Sequence, residues 1–382
     1  MKNSSAAWVA KTKNHDAAAD TRHMAGALAL AERGLGAVWP NPAVGCVLVQ
    51  GGRIVGRGWT QPGGRPHAES EALRRAGTAA KGATAYVTLE PCAHHGHTPP
   101  CADALIEAGI ARLVAAMKDP DPRVSGQGFK RMEAAGIEVA VGTGSDTAAR
   151  LNAGFIRRIE IGRPLVTLKL ATSLDGRIAT RGGESQWITG ELSRARGHLL
   201  RARHDAILVG SGTALADDPA LTCRLSGLEQ RSPVRIVMDG RLRLPPGHQL
   251  VTGARDVRTW IVTLNGADPA RQDSYRAAGV EVIEVAPDGD GHPDALATFN
   301  ALGERGITRL LVEGGAHIAA ALLGARLVDR LECFRAPNII GGDGAPAAEA
   351  FALDHLADAP AFVRHAVSEL GGDLLEAFDS KP

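Results

Sequence analysis

Four residues in the first third of the chain have the types that hydrolytic zinc chemistry requires. His67 and Glu69 are two positions apart at a predicted loop-to-helix junction, and Cys92 and Cys101 follow along the chain. One imidazole and two thiolates suit tetrahedral Zn²⁺, and three protein ligands leave a fourth position for water. Zinc brings the pKa of that water to about 7. Glu69 is then placed to take a proton from the water and deliver it to a substrate nitrogen.

The spacing agrees in part with zinc deaminases, which carry H-x-E followed by P-C-x-x-C. The first half matches, whereas eight residues separate Cys92 and Cys101. Two alternatives stay open: a closed structural zinc with a nearby histidine as fourth ligand, or two unrelated core cysteines without metal. The nearby histidines are His94, His95 and His97. Glu69 favours the open hydrolytic site, because a purely structural zinc has no use for a carboxylate there.

The segments around these residues alternate between predicted strands and helices. Apolar runs at 43–49 and 85–89 predict buried strands, and residues 68–76 predict a helix. Thr21 is expected to cap a first helix that stops at Gly34. This alternation predicts an α/β domain with helices covering the sheet.

A second α/β unit, with its own core, is predicted beyond residue 163, after a connecting helix near 147–158. No strand there is followed by G-x-G-x-x-G with an acidic residue about 20 positions on, so the common dinucleotide fingerprint is absent. The nearest Gly-rich candidate, VEGGAH at 312–317, follows an apolar strand and opens a helix. Glycines there let a phosphate approach free backbone N–H groups. The alternative is a Gly-rich turn without a ligand.

The motifs together resemble one enzyme family. Residues 40–45 read PNPAVG, 67–69 read HAE, and 88–101 read TLEPCAHHGHTPPC; in the second unit, 169–179 read KLATSLDGRIA and 208–213 read LVGSGT. These resemble, in order, the two halves of the bifunctional riboflavin-biosynthesis deaminase–reductases, over nearly all of residues 21–370. That family carries the long loop between the two cysteines. The chain departs from it at Ala93, where we expect serine.

The resemblance implies a fold and a reaction. It implies an α/β protein with a cytidine-deaminase-like three-layer α/β/α domain at 21–146, a connecting segment at 147–162, and a dihydrofolate-reductase-like α/β domain at 163–378. The first domain would hydrolytically deaminate 2,5-diamino-6-(5-phosphoribosylamino)pyrimidin-4-one. The second would then reduce the ribosyl group, giving 5-amino-6-(5-phosphoribitylamino)uracil. The expected cofactors are Zn²⁺, one per chain, in the deaminase site and NADPH in the reductase site.

The resemblance also implies site residues by position. It makes His67, Cys92 and Cys101 the zinc ligands and Glu69 the catalytic acid–base group. The expected cofactor-binding residues are Ala171, Trp187, Thr213, Asp217, Gly240, Gly315, Ala316, His317, Ile318, Ala319, Ala320 and Ala321. The expected substrate-binding residues are Asn41, Ser185, Arg201, Leu221, Arg224 and Glu313. Trp187 could instead pack in a core, and Arg201 could lie on a solvated helix face.

The composition of the chain indicates which binding partners and which cellular location to expect. The 382 residues carry 43 basic and 42 acidic side chains. A nucleic-acid binder usually shows a basic excess, so we expect a small-molecule substrate and no nucleic-acid partner, although a deaminase of bases in nucleic acid is the main alternative. No apolar run approaches the roughly 20 residues that cross a bilayer, so we expect no membrane partner. Five scattered cysteines indicate a cytoplasmic protein. We also expect a homo-oligomer, a dimer or a tetramer.

Overall fold

A computed structural model of the chain describes residues 16–94 and 99–381. The chain divides into two compact units, Met1–Ile161 and Gly162–Pro382. None of the helices in the described ranges combines the length and the apolar character needed to span a membrane.

The first unit contains five strands and six α-helices in its described residues. The strands are β1 (Gly45–Gln50), β2 (Arg53–Trp59), β3 (Thr84–Val87), β4 (Arg112–Ala115) and β5 (Glu138–Val141). The helices are α1 (Ala17–Ala31), α2 (Ala68–Ala76), α3 (Cys101–Glu107), α4 (Gln127–Ala134), α5 (Ser145–Leu151) and α6 (Ala153–Ile161). Short 3₁₀ turns occur at Glu32–Gly34, Pro62–Gly64 and Gly77–Ala80.

These strands form one sheet in the order β2-β1-β3-β4-β5. Strand β1 is antiparallel to β2 and β3, and the pairs β3–β4 and β4–β5 are parallel. Because successive side chains of a strand point to opposite faces, β1 serves two cores. Cys46 and Leu48 pack with residues of α2, α3 and α4, whereas Val47 and Val49 pack with residues of α1 and α5. The predicted three-layer α/β/α arrangement is confirmed.

Two glycines of β2 bring helix α2 into backbone contact with the sheet. A Cβ atom at Gly58 would lie 2.1 Å from the carbonyl oxygen of Ala68, and one at Gly56 would lie 2.3 Å from that of Ala72. Only a residue without a side chain permits this approach. The N-terminal end of α2, which His67 precedes as the capping residue, is thereby held against β2.

The structure corrects two expectations about helices in this unit. Helix α1 begins at Ala17, and the carboxylate of Asp16 accepts a hydrogen bond from the Ala18 amide, 3.0 Å away. The prediction that Thr21 caps this helix is therefore wrong. The Thr21 hydroxyl instead donates to the Ala17 carbonyl oxygen within the helix, as threonine hydroxyls can.

The single helix expected near 147–158 is two helices, α5 and α6, that meet at Asn152. Asn152 is buried, and its side chain accepts a hydrogen bond from the Ala43 amide (2.9 Å) and donates one to the Ala43 carbonyl oxygen (3.0 Å). An amide satisfied on both sides fixes the chain at this point, because leaving it unpaired when buried would cost about 1–3 kcal/mol. Periodicity alone gives no sign of this break.

The second unit contains eleven strands and six α-helices in its described residues. The strands are β6 (Leu165–Thr172), β7 (Arg177–Ala179), β8 (Ala206–Gly210), β9 (Val234–Met238), β10 (Thr259–Leu264), β11 (Glu281–Val285), β12 (Arg309–Val312), β13 (Arg330–Arg335), β14 (Ala345–Pro346), β15 (Phe362–Leu370) and β16 (Asp373–Ser380). The helices are α7 (Glu191–Ala202), α8 (Ser211–Asp217), α9 (Gln249–Thr252), α10 (Pro269–Ala278), α11 (Ala295–Glu304) and α12 (Ala316–Gly324). Further 3₁₀ turns occur at Glu229–Arg231 and Leu356–Asp358.

Nine of these strands form one sheet in the order β11-β10-β9-β8-β12-β6-β13-β16-β15, and β7 pairs with β14. Pairing is parallel from β11 through β13 and antiparallel for β13–β16 and β15–β16. Ile207 and Val209 of β8 pack in a core with residues of α7, α8, α9 and α10. The predicted second α/β unit is confirmed. The sequence does not predict β13, β15 or β16, because their apolar residues are interrupted by charged ones.

We predict that Gly58→Ala destabilises the first unit by about 1–3 kcal/mol, because the new methyl group overlaps the backbone of α2. The melting temperature of that unit should fall by roughly 3–10 °C, and less zinc should remain after dialysis, since His67 moves with α2. Gly26→Ala is the matched control: it lies in α1, and the nearest atom to its Cβ is 4.0 Å away. A Gly58→Ala protein with the wild-type melting temperature would contradict the close approach.

Candidate active sites

Three side chains from separate segments of the first unit meet at one point. His67 precedes α2, Cys92 lies in the loop after β3, and Cys101 is the first residue of α3. Nδ1 of His67 lies 3.3 Å from Sγ of Cys101 and 3.7 Å from Sγ of Cys92. A tetrahedral zinc with bonds of about 2.1 Å to nitrogen and 2.3 Å to sulfur requires nitrogen–sulfur separations of roughly 3.6 Å. The three side chains therefore fit one zinc ion.

The two thiols shift each other's pKa in opposite directions. Hydrogen bonds from Cys101 and His67 outweigh burial and lower the pKa of Cys92 to about 4. The hydrogen bond to Cys92, together with burial, raises the pKa of Cys101 well above its usual value. A zinc ion ionises both thiols, since it binds cysteine as the thiolate.

Glu69 lies beside this group without belonging to it. Among the described residues, only His67, Cys92 and Cys101 have ligand atoms that come together within 4.8 Å. The Glu69 side chain is 4% exposed, and burial raises its pKa to about 7. It lines the same cavity of about 230 Å³ as His67 and Cys92. Glu69 therefore lies next to the three potential zinc ligands without being one of them.

The loop histidines were the candidates for a fourth ligand. His94 lines the cavity but is not part of the ligand group. His95 and His97 lie outside the described residues.

Asn41 also lines this cavity, as the sequence predicts for a substrate contact. Its side chain lies directly over Gly64, where a Cβ atom would be 1.8 Å from the Asn41 Nδ2 atom. Gly64 has a φ of +82°, which favours glycine. The side-chain amide of Asn41, which has one donor and one acceptor group, therefore packs against the turn at 62–64 and lines the same cavity as His67 and Cys92.

Several residues of this cavity were missed by sequence reasoning. Glu90 is buried, and its carboxylate accepts hydrogen bonds from the backbone amides of Asp119, Gly126 and Gly128 at 2.8–3.2 Å. It ties the loop that follows β4 to the Cys92 loop, and its place in the TLEPC motif was an available signal. Others belong to no recognised motif, and all of them except Arg65 come from segments distant from His67 in the chain. These are Arg65, Asp119, Asp121, Arg123, Phe155, Arg158 and Ile159.

A second cavity, of about 400 Å³, lies in the second unit and is lined by residues at the ends of β8 and β9 and on α12. Gly315, the residue before α12, has a φ of +62°, and a Cβ atom there would lie 3.2 Å from Oγ1 of Thr213. Half of the residues predicted to bind the cofactor line this cavity. They are Thr213, Gly240, Gly315, His317, Ile318 and Ala321.

The other predicted cofactor residues lie outside the lining of this cavity. Ala319 and Ala320 are buried on α12, and Trp187 is 65% exposed with the guanidinium of Arg194 4.8 Å from its ring. The core-packing alternative for Trp187 is therefore wrong. The rest of this group are Ala171, Asp217 and Ala316.

Two arginines and a serine at the second cavity were also missed. Arg241, Arg243 and Ser211 line it, and Nη2 of Arg243 donates a hydrogen bond to Oγ of Ser211 at 2.7 Å. Each arginine follows β9 within a few residues, and Nε of Arg243 lies 3.8 Å from an oxygen of Asp239, the first residue after that strand. Nothing in the local sequence distinguishes them from ordinary surface arginines.

Arg201 and Glu313, both predicted substrate contacts, form a two-point ion pair. Nε of Arg201 lies 2.7 Å from one oxygen of Glu313, and Nη2 lies 2.9 Å from the other. Burial opposes ionisation of Glu313, but the charge and hydrogen bonds of Arg201 outweigh it and hold the pKa of Glu313 at about 2. Arg201 is thus not on a solvated helix face.

The remaining predicted substrate contacts are spread over loops of the second unit. Ser185 and Arg224 are exposed, and Leu221 is buried with a φ of +52°. The backbone amide of Arg224 donates to Nδ1 of His198 at 3.4 Å.

Two family models match the chain, one in each unit. The cytidine and deoxycytidylate deaminase zinc-binding region matches residues 17–117, a range that contains His67, Cys92 and Cys101. The RibD C-terminal domain matches residues 164–356.

Curated proteins match over most of their length. The riboflavin biosynthesis protein RibD of Escherichia coli is 46% identical over 366 residues, which cover 93% of this chain and 98% of that protein. The protein of the same name from Bacillus amyloliquefaciens is 41% identical over 355 residues, covering 92% and 94%.

Solved structures match over a similar extent. RibD of Acinetobacter baumannii superimposes with a TM-score of 0.86 and 37% identity, covering 96% of this chain and 100% of that one. The diaminohydroxyphosphoribosylaminopyrimidine deaminase/5-amino-6-(5-phosphoribosylamino)uracil reductase of Thermotoga maritima gives 0.83 and 34%, with the same coverage. The chain therefore belongs to the RibD family of riboflavin biosynthesis proteins and is an enzyme with both a deaminase and a reductase domain.

Proposed function

We propose that the first unit deaminates 2,5-diamino-6-(5-phosphoribosylamino)pyrimidin-4-one and that the second unit reduces the ribosyl group of the product with NADPH. The final product is 5-amino-6-(5-phosphoribitylamino)uracil. The observation that carries this proposal is the convergence of His67, Cys92 and Cys101 beside Glu69, in a chain that also has a RibD C-terminal domain.

In the deaminase cavity, His67, Cys92 and Cys101 would hold zinc, which lowers the pKa of water and so supplies a nucleophile at neutral pH. Water adds to the ring carbon that bears the amine. Glu69 takes the proton of that water and delivers it to the amine nitrogen; the carbon–nitrogen bond then breaks and ammonia leaves. The fixed amide of Asn41 contacts the pyrimidine edge and orients the ring.

In the reductase cavity, the backbone N–H groups at the start of α12 would bind cofactor phosphates, next to Gly315. NADPH differs from NADH by a 2′-phosphate, and guanidinium groups bind phosphate strongly. Arg241 and Arg243 are therefore proposed to select NADPH, which supplies the hydride. The ion-paired Glu313 keeps a fixed carboxylate available for sugar hydroxyl groups of the substrate.

The other contacts of the reductase site are proposed from the family resemblance. They are Ala171, Trp187, Asp217, Ala316, Ala319 and Ala320 for the cofactor, and Ser185, Arg201, Leu221 and Arg224 for the substrate.

We propose that the chain forms a homo-oligomer, a dimer or a tetramer, in the cytoplasm, with no nucleic-acid or membrane partner. Strand β15 supports association between copies: it ends the order of the nine-stranded sheet, and Val363 and Val367 are each 51% exposed. An exposed edge strand presents unpaired backbone groups to another chain. The near-zero net charge supports the absence of a nucleic-acid partner, and the free cysteines support a cytoplasmic location.

We predict that Glu69→Gln keeps one zinc per chain and lowers deamination by about 100-fold or more, because the proton-transfer group is lost while all three ligands remain. Zinc content, ammonia release and NADPH oxidation should be measured on the same preparation. Wild-type protein should release ammonia and then oxidise one NADPH per substrate molecule. The variant should oxidise NADPH normally when it is given deaminated substrate. Loss of zinc from Glu69→Gln would make Glu69 a ligand and contradict its assigned role.

We predict that Arg243→Gln lowers kcat/KM for NADPH by about 10- to 100-fold and leaves kcat/KM for NADH unchanged, because only NADPH carries the 2′-phosphate. Arg276→Gln is the matched control, since Arg276 lies on α10, outside the cavity lining, and pairs with Asp273. An equal loss with both cofactors would show that Arg243 has no part in choosing between them.

A further inference from the structure

Helix α6 lies within the segment expected to connect the domains, and it forms one wall of the deaminase cavity. Phe155, Arg158 and Ile159 all line that cavity. Arg158 and Ile159 follow Phe155 by three and four residues, so all three side chains lie on one face of the helix. Arg157, one position away, does not line it. The face of α6 that meets the cavity is therefore apolar except for one guanidinium group.

The start of α6 is tied to the substrate side of the same cavity. Asn152, at the junction of α5 and α6, binds both backbone groups of Ala43. Ala43 is two residues from Asn41, which lines the cavity. These two buried hydrogen bonds hold the start of α6 against the segment that contains Asn41.

A second guanidinium group lies near Arg158. Arg123 also lines the cavity, with its side chain 72% exposed and its Nε atom 3.0 Å from an oxygen of Asp121. Burial and then the positive charge of Arg123 lower the pKa of Arg158, and Asp121 acts in the opposite direction. Both guanidinium groups line one cavity, so an anion bound there would be attracted by both.

The positions of these groups give the cavity a direction. Glu69 is buried at the zinc ligands, whereas Arg123 is exposed and also lines a neighbouring surface recess with Lys130 and Arg131. Arg131 is engaged with Asp103 at 2.6 Å and with the Ala93 carbonyl oxygen at 3.1 Å. The cavity therefore runs from a buried reaction centre to an exposed cationic end. Acidic groups in the lining include Asp119 and Asp121, and Arg123 pairs with Asp121.

We propose that Arg158, together with Arg123, binds the phosphate of the deaminase substrate and makes this cavity selective for a phosphorylated ribosylamino-pyrimidine over its dephosphorylated form. The inference rests on the proposed function, which supplies a substrate with an amine at one end and a phosphate at the other. Guanidinium groups bind phosphate through paired hydrogen bonds. The apolar neighbours Phe155 and Ile159 exclude water from Arg158 and strengthen that contact.

The test compares Arg158→Gln with wild type on the phosphorylated substrate and on the same compound after phosphatase treatment. We expect the variant to raise KM for the phosphorylated substrate by about 10- to 100-fold, with kcat/KM for the dephosphorylated compound and the zinc content unchanged. Arg157→Gln, on the adjacent position of α6, should behave as wild type. Arg158→Lys should recover part of the loss, since it restores the charge without the fork.

Inorganic phosphate gives a second measurement that needs no turnover. Calorimetric titration should show phosphate binding to the zinc-loaded wild type and at least 10-fold weaker binding to Arg158→Gln. An equal loss of activity with both pyrimidines, or unchanged phosphate binding, would overturn the assignment. A loss that follows Lys130→Gln instead would place the phosphate in the outer recess and also overturn it. A wild type that binds phosphate at Arg158 but deaminates neither pyrimidine would count against the proposed function alone.

Discussion

The first unit depends on one constraint: a nitrogen and two sulfur atoms from separate segments have to lie within 4.8 Å of one another. Each comes from a point where an element begins or a strand has just ended, so the sheet and its helices decide whether they meet. Gly56 and Gly58 set the distance of α2 from β2. The carboxylate of Glu90 binds backbone amides of the loop after β4 and holds that loop against the Cys92 loop. The zinc ligands are thus held by backbone contacts as much as by the side chains that surround them.

The two cavities are lined in different ways. The deaminase cavity gathers side chains from α2, the Cys92 loop, the loop after β4 and α6 around a small volume. The reductase cavity is proposed to bind phosphate through backbone at the start of α12, and Arg241 and Arg243 are part of its lining. A site built from backbone groups needs only glycine and the start of a helix. Such a site is therefore harder to predict from the sequence than a set of metal ligands.

This difference decides how much the sequence could predict. His67, Glu69, Cys92 and Cys101 could be predicted from their types and spacing, because zinc chemistry restricts the residues that can do the work, and the structure brings the three predicted ligands together. The roles proposed for Arg158 and Arg243 could not be predicted in this way, since they depend on what the fold places beside each arginine. The same holds for the fold: apolar runs predicted the buried strands, whereas Asn152, which divides α5 from α6, acts through a partner 109 positions away.

X-ray absorption at the zinc edge of the zinc-loaded chain distinguishes an open hydrolytic site from a closed structural one. We expect one zinc per chain with two sulfur ligands near 2.3 Å and two lighter ligands near 2.0–2.1 Å, only one of them an imidazole. Cys101→Ser should leave one sulfur ligand. A spectrum with two imidazoles would instead mean a closed site with a loop histidine as the fourth ligand, and would contradict the open hydrolytic centre.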